Sequence, residues 1–212
     1  MQKLDFIYQR HSVRKFKDQS VDPTHLQEMI KAATYAPSGK NVQNWHFVVL
    51  NNKEKIQEIV KIVEDRNEAL ASWTNDENLK KEISKFKGFH TVFRGAPSLV
   101  FVFAGPYRDM AVDAYRAKNA SSEEIHSLLR VAPAVQNISA ALQNLMLAAA
   151  ALGYGTCWMT GPSYAFNEIH KYLGFEKEGY FLAAMTPLGV PEEKELSSPP
   201  RKPIDEVLTI ID

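Results

Sequence analysis

The chain has 212 residues, 45% of them apolar, which bounds one large domain or two small ones with room for a substantial core. Lys plus Arg total 25 and Asp plus Glu total 25, so the formal charge is zero. A general nucleic-acid binder, which needs surplus cations to displace counterions, is therefore not expected, although a local anion site needs only a few cations.

The N-terminal stretch carries Asp5 and no apolar run, so no leader peptide is expected. Asp22-Pro23-Thr24 reads as a helix start, a capping Asp followed by Pro at the first helical position. Leu26, Met29, Ile30 and Ala33 continue at helical spacing, and Ala36-Pro37-Ser38-Gly39 stops the helix. Trp45–Leu50 reads as a buried strand and Asn51-Asn52 as a turn. Ile56, Ile59, Val60 and Val63 mark a second amphipathic helix, and residues 77–86 a third, weaker one. Lys80, Lys81, Lys85 and Lys87, near Phe86 and Phe89, read as a solvated helix face rather than a nucleic-acid patch. Residues 97–104 form an apolar run of strand length, and residues 180–190 another, ending at Pro191.

Residues 131–167 contain no charged side chain. A membrane span is excluded because Pro133, Gln136, Asn137, Gln143 and Asn144 interrupt the run. Val135, Ile138, Leu142, Leu145, Ala149 and Leu152 form one helical stripe, and Ala134, Ala141 and Ala148 a second. Such a helix must be covered, either by the core or by a second subunit, and the pattern leaves both open. A short strand follows within residues 153–162, with Cys157 as a core residue. The single cysteine rules out an intrachain disulfide and a thiolate metal site, and fits a reducing, cytoplasmic compartment. Strands separated by helices favour a mixed α/β layer architecture.

Several constellations bear on chemistry. In Arg10-His11-Ser12-Val13-Arg14, an extended chain puts Arg10, Ser12 and Arg14 on one face, and a helix would still align Arg10 with Arg14. An anion between the guanidinium groups relieves their repulsion, and a phosphate suits their bidentate geometry; the plain alternative is a solvated basic turn. In residues 36–45, Gly39 permits close backbone approach, while Ser38, Asn41 and Gln43 offer neutral hydrogen-bonding groups. The plain alternative there is a polar loop feeding a strand. Gly153, Gly155 and Gly161 form neither a dinucleotide fingerprint nor a P-loop. Arg201 and Lys202 sit between prolines in an extended tail. With no HExxH and no paired histidines at helical spacing, a zinc hydrolase is not expected, and no GxSxG elbow is present.

Taken together in this order, these elements resemble the nitroreductase family of FMN enzymes. The R-x-S-x-[RK] element is Arg10, Ser12 and Arg14, and the A-P-S-x-x-N-x-Q-P-W loop is Ala36, Pro37, Ser38, Asn41, Gln43 and Trp45. The G-x-G-[ST] strand is Gly153, Gly155 and Thr156, and the closing R-K-P-[LI]-x-E-V tail runs from Arg201 to Val207. The resemblance implies an α+β, nitroreductase-like fold spanning 1–212 as a single FMN-binding domain, with a central mixed or antiparallel sheet flanked by helices. It further implies an intertwined homodimer with exchanged C-terminal segments and FMN at each subunit interface. Arg10, Ser12 and Arg201, with His11 alongside, would hold the FMN phosphate, and Arg14 would lie nearer the pyrimidine edge. Pro37, Ser38 and Gly39 would cover the flavin from the partner subunit. Asn41 belongs to the same cofactor loop, where it and Gln43 brace the backbone rather than touch the ring. Met159, Thr160 and Gly161 would run past the ring, with a backbone N–H near N5.

The implied activity passes hydride from NADH or NADPH through FMN to a small-molecule electron acceptor of the nitroaromatic or quinone type, without a side-chain acid or base. Reductive dehalogenation, oxygen-dependent flavin breakdown and non-catalytic FMN binding are the alternatives. No membrane or nucleic-acid partner is expected. Asn44 stands where the family has Pro, predicting a less rigid loop. Residues 67–90 match nothing in the pattern, and the family places a variable substrate-capping region there.

Overall fold

Side chains that cap exposed backbone N–H groups set where most helices begin. Asp22 opens α2 (Pro23–Thr34) by accepting from Thr24 N at 2.7 Å and His25 N at 3.4 Å. These bonds hold its carboxyl below the ordinary range. Asn52 opens α3 (Lys53–Ser72), so the predicted Asn-Asn turn is a helix cap. Asp76 opens α4 (Glu77–His90), which runs four residues past the expected end. Asp109 opens α5 (Met110–Ala117), and a reciprocal Ser121–Glu124 box opens α6 (Ser122–Leu129). A single turn, α1 (Asp5–Tyr8), precedes them all. The long α7 (Pro133–Ala151) begins with Pro133 at its first position, and α8 (Phe166–Leu173) ends at Gly174, whose φ of +61° is the left-handed geometry of a helix stop. Helices α1, α5, α6 and α8 are absent from the periodicity reading because eight residues or fewer give too few turns for an apolar stripe.

The computed structural model describes residues 3–192 and 199–211. Met1 and Gln2, part of the stretch expected not to be a leader, lie outside the described residues, as do residues 193–198 and Asp212.

Strands β1 (Trp45–Leu50), β2 (Ser98–Ala104), β3 (Gly155–Thr156) and β4 (Phe181–Gly189) form one sheet in the order β1-β2-β4-β3, each neighbouring pair antiparallel. Residues 10–16 extend its edge: Ser12 bridges Thr156 in parallel, and Phe16 bridges Pro191 in antiparallel fashion. The architecture is α+β, with an antiparallel sheet flanked by helices and one parallel bridge at its rim.

All of β2 is buried, so it reads as a continuous apolar run, yet its alternation still assigns faces. Leu99, Phe101 and Phe103 pack with Ile56, Ile59 and Val63 of α3 and Ile169 of α8. Val100, Val102 and Ala104 pack with Met29 of α2 and Ile138, Leu142 and Leu145 of α7. The sheet is thus the middle of three layers. Between Val102 and Phe103 the ladder to β4 slips by one residue at Ala183. This bulge lets Leu182 and Met185, three apart, reach the same α3–α8 core.

Both coverings considered for the central helix bear on α7. One face is buried in the core, and α2 packs beside it, with Asn144 Nδ2 donating to the Ala32 carbonyl at 3.3 Å. The side that carries Ser139, Ala140, Gln143 and Leu147 is half-buried. Among the described residues, no helix is long and apolar enough to cross a membrane.

Candidate functional site

The basic motif at residues 10–14 is extended rather than helical. Val13 N donates to the Thr156 carbonyl at 2.8 Å, and Val13 is buried. Its side chain occupies the space where a Gly155 side chain would stand: a Cβ there would lie 2.6 Å from Val13 Cβ. With Val13 inward, period two turns Ser12 and Arg14 outward, and both are exposed, while Arg10 and His11 are half-buried. Arg14 Nη1 donates to the Ser12 carbonyl at 3.3 Å.

Three members of this motif bear on the charge of one buried thiol. Burial pushes the Cys157 thiol up, while Arg14, a hydrogen bond with Ser12 and Arg10 pull it partway back. Cys157 is therefore a core residue, as expected, roofed by the motif's positive field. Its N–H donates to Thr186 Oγ1 at 3.0 Å, which fixes this end of the strand.

Two residues on, Met159 is buried and paired with Met185 through bonds of 2.9 and 3.3 Å. Thr160 and Gly161 follow as an exposed turn. Gly161 is required by a close approach: a Cβ there would lie 2.5 Å from the His90 ring.

The loop from Pro37 to Gln43 is locally braced. Ser38 Oγ accepts from Gln43 N at 3.1 Å, and the Ser38 carbonyl accepts from Asn41 N at 2.9 Å. Lys40, Asn41 and Gln43 all have positive φ (57°, 52° and 45°), strained for residues with a Cβ and affordable only where the surroundings fix them. Pro37, Gly39 and Asn41 are exposed. Gly39 lies under Tyr107, whose hydroxyl would be 2.7 Å from a Cβ at that position.

The looser loop expected from Asn44 is corrected by its surroundings. Asn44 is buried and its Nδ2 donates to the Gly105 carbonyl at 2.9 Å and the Ala134 carbonyl at 3.4 Å. Its Oδ1 accepts from Asn137 Nδ2 at 2.8 Å, and Asn137 Oδ1 accepts from Gly39 N at 3.1 Å. Where a proline ring would restrict φ, this chain restrains the loop through a buried amide pair on α7.

These elements do not all gather in one chain. Gly39 is held by Asn137 near the start of α7, whereas Ser12 pairs with Thr156 just past its end. At 1.5 Å per helical residue, the two lie roughly 20 Å apart along α7. The sheet agrees: Thr156 pairs beside Leu188, itself beside Ser98, while Trp45 pairs with Ala104 at the other end of β2, again roughly 20 Å away. Arg201 is exposed in the 199–211 segment, and its Nη1 donates to the local Pro199 carbonyl at 2.7 Å. So Arg10, Ser12, Arg14, Cys157 and Met159 share one edge of the sheet, and the 37–41 loop stands at the opposite end of α7.

His90, Tyr164, Tyr107, Asn44 and Asn137 are the residues that sequence reasoning did not assign to the site. Gly39 and Gly161 carried a signal of close approach, but nothing in the local pattern named the ring that approaches.

A three-layer α+β fold with an anion-suited basic ridge at a sheet edge defines a class, and comparison with known proteins gives it a family. The nitroreductase family model matches residues 7–190, and the chain belongs to that family. It is similar to a BluB-like flavoprotein from Clostridium difficile, with 40% identity, complete coverage of both chains and a TM-score of 0.92. A nitroreductase with bound FMN from Desulfitobacterium hafniense is 27% identical, with 99% of this chain and 97% of that one covered and a TM-score of 0.68. An NADPH-dependent oxidoreductase of Staphylococcus saprophyticus is 22% identical over 204 residues, 96% of this chain and 70% of that protein.

Proposed function

We propose that this chain is an FMN-dependent NAD(P)H oxidoreductase that works as a homodimer on nitroaromatic or quinone-type acceptors. The observation that carries this reading is the extended 10–14 segment, which turns Arg10, Ser12 and Arg14 to one face at the sheet edge next to Thr156. The Arg10 guanidinium and the Ser12 hydroxyl form a donor set for a phosphate, and Arg14 beside them supplies a cation for the edge of the ring. The neighbouring Thr160–Gly161 turn is exposed, with His90 on the side where a Gly161 side chain would stand, and its open side offers backbone to a flat ring. The donor chemistry therefore fits FMN, and relatives described as a flavoprotein and as an FMN-bound nitroreductase support the same cofactor. The NADPH-dependent relative supports a nicotinamide reductant.

When bound, FMN supplies the transfer of hydride from NADH or NADPH to the acceptor. The chain's residues bind and orient: Arg10, Ser12 and His11 the phosphate end, Arg14 the pyrimidine edge, and Met159, Thr160 and Gly161 one rim of the ring. Pro37, Ser38 and Gly39 cover the ring from a second copy, and Asn41 braces their loop. The gap of roughly 20 Å along α7 between the Ser12 edge and the 37–41 loop supports that division. The tail favours it too. Ile204, Val207, Leu208, Ile210 and Ile211 are all exposed, a run of apolar side chains that a partner subunit would cover while receiving Arg201. The lone buried Cys157 suits a reducing, cytoplasmic setting.

The test is the visible spectrum of the purified protein, followed by anaerobic titration with NADH and NADPH. A yellow protein bleached by either nicotinamide is the expected result. A colourless protein that cannot be reconstituted with FMN overturns the cofactor assignment, and a yellow protein that neither nicotinamide bleaches overturns the reductase.

A further inference from the structure

The turn at residues 160–161 is propped from outside by polar contacts that the reading above leaves unused. Arg66 and Asn67, adjacent on α3, grip Tyr164 at two points. Arg66 Nε donates to the Tyr164 carbonyl at 3.3 Å, and the buried Asn67 donates from Nδ2 to the Tyr164 hydroxyl at 3.4 Å. Asn67 Nδ2 also donates to the Ile83 carbonyl at 3.1 Å, which ties α4 to the same place. The Tyr164 hydroxyl lies 3.0 Å from His90 Nδ1.

A hydroxyl carries one proton, and a neutral imidazole carries one N–H. Among the described residues the Tyr164 hydroxyl meets two polar side-chain atoms, the Asn67 Nδ2 donor and His90 Nδ1, so Nδ1 is the acceptor within reach of its proton. That leaves the imidazole proton on Nε2. Burial lowers the proton affinity of His90, which keeps the ring neutral near neutral pH. Phe86 stacks on the ring at 5.9 Å with planes 17° apart, which fixes its tilt. The edge turned to the turn is the Nε2 edge: a Cβ on Gly161 would lie 2.5 Å from His90 Cδ2 and 2.8 Å from Nε2.

We propose that His90 is a positioning residue for the 160–161 turn, held by Asn67 and Tyr164 as the Nε2–H tautomer, with that N–H edge packed on the Gly161 backbone. Its effect on cofactor binding rests on the FMN reading above, but the tautomer does not.

Two measurements test it. Nitrogen NMR of histidine-labelled protein, with FMN and after its removal, is expected to show His90 with an acceptor Nδ1 and a protonated Nε2 at neutral pH. A proton on Nδ1 overturns the proposal whether or not FMN binds. FMN affinity and the shape of the bound flavin's visible band are then compared across variants. His90→Ala is expected to weaken FMN about tenfold, equivalent to about 1.4 kcal/mol. Tyr164→Phe should act in the same direction, and the double variant should be no worse than the weaker single one, because residues acting as a unit are non-additive. His90→Gln, whose amide N–H reaches the Nε2 position, should recover most of the affinity and the wild-type band, whereas His90→Asn should not. Equal behaviour of the Gln and Asn variants, or unchanged affinity and band in His90→Ala, overturns the positioning role. A wild-type protein that binds no FMN sinks the cofactor reading alone and leaves the NMR result to decide on the tautomer.

Discussion

Arg14 and Asn44 stand for two ways in which a single side chain would serve the proposed site. Arg14 is exposed, fixed by its own neighbour's carbonyl, and free to place charge at a ligand's edge. A cation near the pyrimidine side stabilises negative charge gained on reduction. Arg14→Met should therefore lower the reduction potential of bound FMN, as read by anaerobic spectroelectrochemical titration; an unchanged potential removes Arg14 from that role. Asn44 works from inside. Removing its amide takes the acceptor from Asn137 Nδ2 and a donor from the Gly105 carbonyl in a buried place, a loss of about 1–3 kcal/mol. Urea denaturation of Asn44→Ala should show that loss as a lower midpoint at unchanged slope. A midpoint equal to wild type would mean that water satisfies the same groups. The loop sequence announced a departure at Asn44 but not its meaning, because the amide that answers it lies 93 residues away on α7.

Among the secondary elements, those readable in advance were the ones whose signals are local. The Asp22-Pro23 cap, the apolar stripe of α3 and the fully buried β2 are each contained within a short window. The motif at residues 10–14 was ambiguous between strand and helix because Arg10 and Arg14 share a face in both. What decides the matter is Gly155, whose missing side chain lets Val13 sit against the strand. The same logic explains why the prop behind Gly161 was invisible: α4 gave a weak periodic signal, and the ring it delivers depends on tertiary placement. Gly155→Ala tests the first contact. A Cβ 2.6 Å from Val13 Cβ forces the edge segment away from β3, an overpacking cost of about 1–3 kcal/mol. Chemical denaturation should register that cost, and FMN titration should register a displaced Arg10–Arg14 ridge as weaker binding. Loss of stability with full FMN affinity would separate the ridge from the cofactor.

Across the whole molecule, the family pattern reached further than the elements did, since its motifs span nearly the entire chain while each alone was weak. The resemblance already gave the 37–39 segment to the partner subunit, but not the distances within one chain. Only the length of α7 and the pairing of β2 reveal that the 37–41 loop and the 10–14 ridge stand at opposite ends of the subunit. If the proposed homodimer holds, removal of residues 199–212 should shift the sedimenting species from dimer toward monomer and release FMN together. A truncated chain that stays dimeric and yellow would show that neither the tail nor Arg201 is needed.

The slip at Ala183 has a consequence for how this sheet tolerates change. Leu182 already lies opposite Phe103 and Ala184 opposite Val102, so deleting Ala183 joins two residues whose sides already alternate. Leu182 keeps its place in the α3–α8 layer and Ala184 its place in the α7 layer, and what is lost is the local kink. The same deletion at any regular position of β4 would instead turn every residue on one side of it to the opposite face.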